Sequence, residues 1–256
     1  MTVRYEVSDG RATITIDDPE RRNPMSVETM NGLLLRTQHA IDDPDVRVIV
    51  YTGAGDAAFC AGGDLSGSFV DDAIGLHRGR GALAQLFRLM TRGGKPTVAR
   101  VNGHALAGGF GLAVACDITI CVDDAKLGTS EVKVGLWPMM ISAVLARVMP
   151  RKAVLEMMLT GRVITPEEAQ RLGAVTRVVS RDQLDEEVDQ TVAALMAASP
   201  TTMMMGKDAF YGMIDVPLDT ALDRLQGGLT EIALTDDARE GVAAFVEKRP
   251  PEWSGS

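Results

Sequence analysis

The chain has 256 residues, a formal net charge of −9, and hydrophobic and charged fractions of 46% and 24%. This composition is that of a globular chain and excludes a disordered or fibrous one. The acidic balance argues against nucleic-acid binding, which normally needs a basic face. No apolar run approaches the roughly 20 residues that cross a membrane, and the start of the chain shows no signal-peptide pattern. The three cysteines have no zinc-binding spacing, so no bound metal is expected. An odd, small number of cysteines fits the reducing cytosol, so we expect a cytoplasmic protein.

Strand and helix patterns alternate through the first half of the chain, which is typical of the α/β class. Alternating residues at 3–7 and 11–16, joined at Asp9-Gly10, predict a β-hairpin. The β-branched run 46–52 predicts a buried parallel strand. A mobile loop is expected over 66–81 because this stretch is rich in glycine and charge. The other predicted elements are helices at 27–41, 82–92 and 108–115 and strands at 96–101 and 118–122.

Beyond residue 140 the pattern becomes helical. Capping boxes that begin at Thr165 and Ser180 predict two helix starts, and the second helix is expected to reach about residue 198. Helices are also predicted over 201–212 and 217–247, and the tail 250–256 is expected to fray. An apolar stripe in this last helical stretch predicts either packing on the chain's own core or a subunit interface. Its members are Leu218, Leu222, Leu225, Leu229, Ile232 and Ala233.

A glycine-rich stretch at 53–58 fits the Gly-x-Gly-x-x-Ala pattern of dinucleotide-binding proteins. That mechanism requires a helix to open directly after the turn, so that the helix N-terminus can hold the pyrophosphate. The residues that follow are not helix-like, and no acidic residue stands at the expected distance. A nicotinamide-dependent oxidoreductase is therefore the less favoured hypothesis.

Three segments carry the most specific pattern in the chain. Residues 59–65 read Phe-Cys-Ala-Gly-Gly-Asp-Leu, residues 101–117 surround the run His-Ala-Leu-Ala-Gly-Gly-Phe-Gly, and residues 125–136 contain Gly-Thr-Ser-Glu-Val. In this order and spacing, the segments are similar to the crotonase superfamily, the enoyl-CoA hydratase/isomerase group. The resemblance covers nearly the whole chain, including residues 18–23 and 245–249.

The resemblance implies a crotonase-like α/β fold. Repeated ββα turns would form a spiral core over residues 1–195, and residues 196–256 would form a C-terminal helical oligomerisation region. Members of the family assemble as trimers, usually paired into hexamers, so a homotrimer or hexamer is expected. The implied substrate is an acyl-CoA thioester. Coenzyme A is then part of the substrate, and no separate cofactor, nucleic acid or membrane partner is expected.

By the same resemblance, the backbone amides of Gly63 and Gly108 would form an oxyanion hole for a thioester enolate. The physics agrees, because two N–H donors aimed at the carbonyl oxygen stabilise its negative charge, and such close backbone approach favours glycine. Glu131 matches the second acid–base carboxylate of the family. A carboxylate in an apolar pocket has a raised pKa, which suits proton transfer.

The chain departs from the hydratase pattern at Gly111, where hydratases of the family carry a first glutamate. With Glu131 alone, isomerase-like proton transfer is slightly preferred over water addition. A hydratase with a compensating second group, for which Asp71, Asp72 and His77 are candidates, is the first alternative. A non-catalytic acyl-CoA-binding protein is the second.

The resemblance also assigns residues that would contact coenzyme A and the acyl group. Arg22, or its neighbour Arg21, would lie near the adenosine, and Phe245 and Lys248 would reach the coenzyme of a neighbouring subunit. The adenine would lie between Ala61 and Leu65. The expected acyl pocket is lined by Trp137, Met139, Met140, Gly111 and His77, although the tryptophan and methionines fit an ordinary core equally well.

Overall fold

The computed structural model describes residues 2–65 and 73–256 of the chain. Asp71 and Asp72 lie outside the described residues. The strands are β1 Val3–Ser8, β2 Arg11–Ile16, β3 Val48–Gly53, β4 Ala58–Cys60, β5 Thr97–Val101, β6 His104–Leu106, β7 Ile118–Val122, β8 Leu127–Gly128, β9 Val163–Ile164 and β10 Arg177–Val179. The helices are α1 Val27–Asp42, α2 Ala73–Arg92, α3 Gly108–Ala115, α4 Met139–Val148, α5 Arg151–Thr160, α6 Pro166–Arg171, α7 Leu184–Met196, α8 Pro200–Met213, α9 Leu218–Ala233 and α10 Asp236–Glu247.

The larger sheet has six strands in the order β1-β2-β3-β5-β7-β10. Strands β1 and β2 pair antiparallel with Val3 opposite Ile16, which confirms the predicted hairpin. The other pairings in this sheet are parallel. Every residue of β3 is buried, as its β-branched sequence predicts, because helices cover both faces of a parallel sheet.

A smaller sheet of four strands, in the order β4-β6-β8-β9, lies beside the first. Strands β4, β6 and β8 are parallel, and β9 closes the sheet antiparallel to β8. One continuous apolar core joins both sheets to helices α1 to α7, and its buried members extend from Val3 to Val192. The three C-terminal helices contribute no buried residue to this core. The division into 1–195 and 196–256 remains a prediction.

Helix α2 corrects the expectation of a loop over 66–81, because the helix begins at Ala73. Four glycines and several charged residues weaken the local helical signal in this stretch. Tertiary packing overrides that weakness at Gly79, where a Cβ would come within 2.8 Å of Cγ1 of Val27 in α1. The glycine therefore allows the two helices to approach closely.

The two predicted capping boxes have different outcomes. The Thr165 side chain accepts a hydrogen bond from the Glu168 amide at 3.2 Å, which confirms the predicted helix start, although the Glu168 carboxylate bonds Arg162 and does not close the box. The Ser180 prediction is wrong, because its hydroxyl bonds the side chain of Gln183 at 2.9 Å instead of capping an amide. A 3₁₀ turn over Arg181–Gln183 intervenes, and α7 begins only at Leu184.

The C-terminal tail is tied down, so the expectation that it frays is wrong. The indole Nε1 of Trp253 donates to the carbonyl of Ala197 at 2.8 Å. The amides of Ser254 and Gly255 donate to the carboxylate of Asp237 at 2.8 and 3.1 Å. Composition alone does not reveal these contacts, because the acceptors Ala197 and Asp237 lie at least 17 positions away from their donors in the chain.

The apolar stripe of α9 is not packed on the chain's own core. Leu218, Leu222 and Leu229 are 72%, 55% and 69% exposed. Of the two interpretations of this stripe, internal packing is therefore wrong for these leucines. The subunit interface remains a prediction. Within residues 2–65 and 73–256, the search for a helix that could span a membrane found none.

Candidate active site

The glycine-rich segments meet at one edge of the smaller sheet. In the parallel sheet register, Cys60 of β4 pairs with Ala105 of β6, and Leu106 of β6 pairs with Gly128 of β8. The carboxyl ends of these three strands therefore lie side by side. The residues that follow each strand, namely 61–63, 107–108 and 129–131, are brought to the same edge, which is the usual place for a ligand site in such sheets.

Gly63 presents an unused backbone amide at this edge. It forms an isolated parallel bridge with Met25, in which the Met25 amide donates to the Gly62 carbonyl at 2.7 Å and the Asp64 amide donates to the Met25 carbonyl at 3.3 Å. This bridge uses the polar groups of the residues beside Gly63. The Gly63 N–H has no acceptor among the described residues and is available to a ligand.

Gly108 presents a second unused amide, because it is the first residue of α3 and the first amides of a helix have no partner within it. The preceding Ala107 has φ +49° and ψ −124°, which is a strained conformation for a residue with a side chain. A hydrogen bond from the Ala107 amide to the Gly128 carbonyl, at 2.8 Å, holds this turn in place. The positive end of the short helix dipole favours a negative charge at Gly108.

The two amide-bearing segments are in direct contact. Gly62 has φ +94°, and a Cβ at this position would come 2.6 Å from the Cβ of Ala107. Met25 lies against both segments, since it bridges Gly63 and its Sδ lies 3.1 Å from the place of a Cβ on Gly108. The structure thus brings together the two predicted oxyanion-hole glycines on neighbouring turns.

Glu131 begins a 3₁₀ turn, Glu131–Val134, directly after the third segment. Its side chain is partly buried, and its Oε2 is fully buried without a hydrogen-bond partner among the described residues. Burial raises the pKa of Glu131, and hydrogen bonds from the backbone amides of Glu131 and Ser130 only partly oppose this effect. The hydroxyl of Thr129 in the same turn is also buried and unpartnered. An unsatisfied, partly desolvated carboxylate is suited to exchange a proton.

No side chain stands at position 111, and Ile141 of α4 fills the neighbouring space. A Cβ on Gly111 would come 2.1 Å from Cγ2 and 2.5 Å from Cβ of Ile141. Real Cβ atoms do not approach other atoms so closely, so residue 111 must be glycine in this packing. The contact identifies Ile141, which the sequence interpretation missed because its apolar helical position resembles any core residue.

Three of the residues predicted to bind coenzyme A lie together beside Gly63. The carbonyl of Arg22 accepts a hydrogen bond from the Ala61 amide at 3.0 Å. Leu65 is half exposed next to them. The neighbouring Arg21 is engaged, because its guanidinium donates two hydrogen bonds of 2.8 Å to the Asp64 carboxylate. The Arg22 guanidinium has no such partner among the described residues and is the freer of the two cations.

Lys126 adds a second cation near Arg22, and the sequence interpretation missed it. The Lys126 amide donates to Nδ1 of His104 at 3.1 Å, and the Lys126 side chain is exposed. Burial lowers the pKa of His104, and the positive charges of Lys126 and Arg22 lower it further. A locally basic patch therefore exists on an acidic chain. The available signal was Lys126 itself, which lies within the third segment.

The remaining predicted residues are more scattered. Met140 packs on the core, whereas Trp137 and Met139 are 39% and 72% exposed. His77 is exposed on α2. Whether these residues line an acyl pocket remains a prediction.

Phe245 and Lys248 lie at the end of α10, and Phe245 is 86% exposed. The stretch at 53–58 runs from β3 into β4, so no helix opens after it to hold a pyrophosphate. A search of the described ranges for three or more clustered metal-ligating side chains found none.

Comparison with known proteins supplies the family. The enoyl-CoA hydratase/isomerase family model matches residues 6–256. A carnitinyl-CoA dehydratase of Escherichia coli is 34% identical over 250 residues, which cover 94% of each chain.

Solved structures agree with this match. The structure of an enoyl-CoA hydratase from Mycobacterium smegmatis is 30% identical, with a TM-score of 0.94 and 99% of both chains covered. Human enoyl Coenzyme A hydratase domain-containing protein 3 is 29% identical, also with a TM-score of 0.94, and 99% of this chain and 100% of that chain are covered. The mixed α/β fold is thus that of the crotonases, and the chain belongs to the enoyl-CoA hydratase/isomerase family.

Proposed function

We propose that the chain moves a proton within the acyl group of an enoyl-CoA thioester, with Glu131 as its acid–base group. The Glu131 carboxylate takes a proton from C2 or C4, and the resulting negative charge is delocalised onto the thioester oxygen. The amides of Gly63 and Gly108 donate hydrogen bonds to that oxygen. Glu131 then returns the proton at the other carbon, so that the double bond moves and no atom is gained or lost.

The observation that carries this proposal is the buried, unpartnered Oε2 of Glu131. Leaving a buried carboxylate oxygen without a donor is unfavourable, so a structure retains one chiefly where a ligand or proton completes it. The raised pKa of Glu131 supports the same role, because it brings the pKa of the carboxyl group closer to neutral pH.

Gly111 supports single-carboxylate chemistry over water addition. Hydration by two carboxylates needs a second acidic side chain next to the water, and glycine offers none. The apolar contact with Ile141 fills the place where such a side chain would begin. Isomerisation is therefore the preferred reaction.

The names of the relatives favour a second candidate, hydration or its reverse. A carnitinyl-CoA dehydratase and an enoyl-CoA hydratase are both lyases. If a second group compensates for Gly111, this chain would catalyse the same type of reaction as these relatives. A protein that only binds acyl-CoA is the third possibility, and binding of acyl-CoA without turnover would identify it.

For the coenzyme, we propose that Arg22 binds a phosphate of coenzyme A and that Ala61 and Leu65 flank the adenine. The basic patch with Lys126 supports this placement, because the coenzyme is anionic. No separate cofactor is needed. A homotrimer or hexamer would bring Phe245 and Lys248 of one subunit to the coenzyme of another, which agrees with the exposure of both side chains.

The test compares wild type with Glu131→Gln on two substrates, a short 2-enoyl-CoA and the matching 3-enoyl-CoA. Isomerisation of the 3-enoyl-CoA that is lost in the variant supports the proposal. Brisk hydration of the 2-enoyl-CoA that is lost in the variant would instead establish the hydratase. Tight acyl-CoA binding without any turnover would establish the binding protein.

A further inference from the structure

We infer that Ile141 determines the reaction specificity of this site by walling off the face of the acyl group where a second polar group would hold water. The inference rests on the proposed function, because it concerns how one site divides between two reactions. It also makes a claim about packing that holds independently of any reaction. The observation that carries it is the contact between Ile141 and the missing Cβ of Gly111.

Ile141 is held rigidly in its position. Its side chain is 3% exposed and belongs to the continuous core. A β-branched side chain on a helix has essentially one preferred χ1 rotamer, so Ile141 cannot swing aside at low energy. Cγ2 of Ile141 lies only 2.1 Å from the place of a Cβ on Gly111, so the isoleucine side chain fills the space beside the glycine.

The placement of Ile141 relates it to both parts of the site. Gly111 lies three residues after Gly108 in α3, so the two share one face of the helix. Helix α4, which carries Ile141, begins shortly after the Glu131 turn, and the Leu136 amide donates to the Glu131 carbonyl at 3.0 Å along this connection. Ile141 thus contacts the helix that carries the Gly108 amide and belongs to the helix that follows the Glu131 turn.

An aliphatic wall has a definite chemical consequence. A water that adds to the double bond must be held by hydrogen bonds, and neither Gly111 nor Ile141 offers a side-chain donor or acceptor. Proton transfer through Glu131 needs no water. The same packing that forbids a side chain at residue 111 therefore favours isomerisation.

The experiment measures the ratio of hydration to isomerisation in Ile141→Thr, with Ile141→Val as the matched control. Threonine keeps the β-branched shape and places a hydroxyl beside Gly111 that can hold a water, whereas valine has the same shape without a polar atom. We expect the ratio to rise about tenfold in Ile141→Thr, the scale on which small changes in an apolar pocket alter discrimination. It should stay unchanged in Ile141→Val. An equal ratio in the two variants would overturn the inference.

A second measurement tests the packing without any substrate. Gly111→Ala should lower the Tm by about 5 °C in the wild-type background, because overpacking a core is destabilising. In an Ile141→Gly background, the same substitution should have no such effect, because the clashing atoms are gone. An equal loss in both backgrounds would overturn the inference even if no enoyl-CoA is turned over. Absence of turnover with the expected Tm pattern would instead contradict the proposed function alone.

Discussion

Two carboxylates, one in each part of the molecule, have opposite hydrogen-bonding environments. Glu131 at the site has a buried oxygen without a donor, and burial raises its pKa. Asp237, at the start of α10 among the C-terminal helices, is 1% exposed. It accepts hydrogen bonds from the Ser199 hydroxyl at 2.7 Å, from the amide and hydroxyl of Ser254, and from the Gly255 amide. Burial alone would raise the pKa of Asp237, but these donors lower it.

The comparison shows that burial does not decide what a carboxylate does. Donors that saturate a carboxylate stabilise its charged form and make it a structural anchor. A carboxylate with a missing donor keeps the capacity to take up a proton. Asp237 therefore joins α8, α10 and the tail, whereas Glu131 is available for chemistry.

The largest expected effect is on turnover in Glu131→Gln. Because the variant cannot accept a proton, kcat for isomerisation should fall by about 10²–10⁴-fold, the usual contribution of a general acid–base group. The free energy of unfolding should be unchanged or slightly higher, since no hydrogen bond to Oε2 is lost. A steady-state assay and a urea unfolding curve check both parts. A loss of stability with retained turnover would reverse the comparison.

Asp237→Asn should show the opposite pattern. Replacing the charged acceptor weakens several buried hydrogen bonds, so the free energy of unfolding should fall by about 2–4 kcal/mol. Turnover per folded molecule should stay unchanged. Asp236→Asn is the matched control, because this neighbouring carboxylate is 65% exposed and its ion pair with Arg239 contributes little. Equal losses in the two variants would contradict the role of Asp237 as an anchor.

The two carboxylates should also respond to pH with opposite signs. The folded chain binds a proton on Glu131 more tightly than the unfolded chain, so wild type should lose stability relative to Glu131→Gln as pH rises from 4.5 through the raised pKa. The folded chain binds a proton on Asp237 less tightly. The advantage of wild type over Asp237→Asn is therefore present above pH 3.8 and is lost as pH falls through the lowered pKa.

Urea unfolding midpoints across this acidic range measure both trends. Because proton abstraction needs ionised Glu131, kcat/KM should also fall as pH drops through the raised pKa of this group. If the stability difference between wild type and variant changed with pH in the same direction for both carboxylates, the two environments would not differ as the hydrogen bonds indicate.

The smallest effect is expected for Ser254→Ala, which removes one of several donors to Asp237 and keeps the backbone amide. A loss of about 1 kcal/mol in the free energy of unfolding is the typical value for one hydrogen bond. Ser256→Ala, at a hydroxyl that bonds only Ser254, serves as the control. A loss as large as that of Asp237→Asn would mean that Ser254 acts by another contact.

Local pattern was sufficient for much of the fold, whereas the site residues were predicted from resemblance to a family. The hairpin, the buried strand β3 and the Thr165 cap follow from periodicity and capping residues within a few positions of each other. The glycine segments and Glu131 were found because their order and spacing match a family. The start of α2, the Ser180 turn and the ordered tail were wrong in the sequence interpretation, since each depends on a partner distant in the chain.

The sequence by itself determined the fold class, because alternating strand and helix patterns depend on residue type at set spacings, and resemblance to a family predicted the two glycine amides and the single carboxylate. Only the tertiary structure decided that Oε2 of Glu131 is unpartnered, that Ile141 fills the space beside Gly111, and that Asp237 is saturated with donors. The physical reason is that burial and hydrogen bonding arise between elements far apart in the chain. A side chain's chemistry is set by its type, but its pKa and its role are set by what folding places against it.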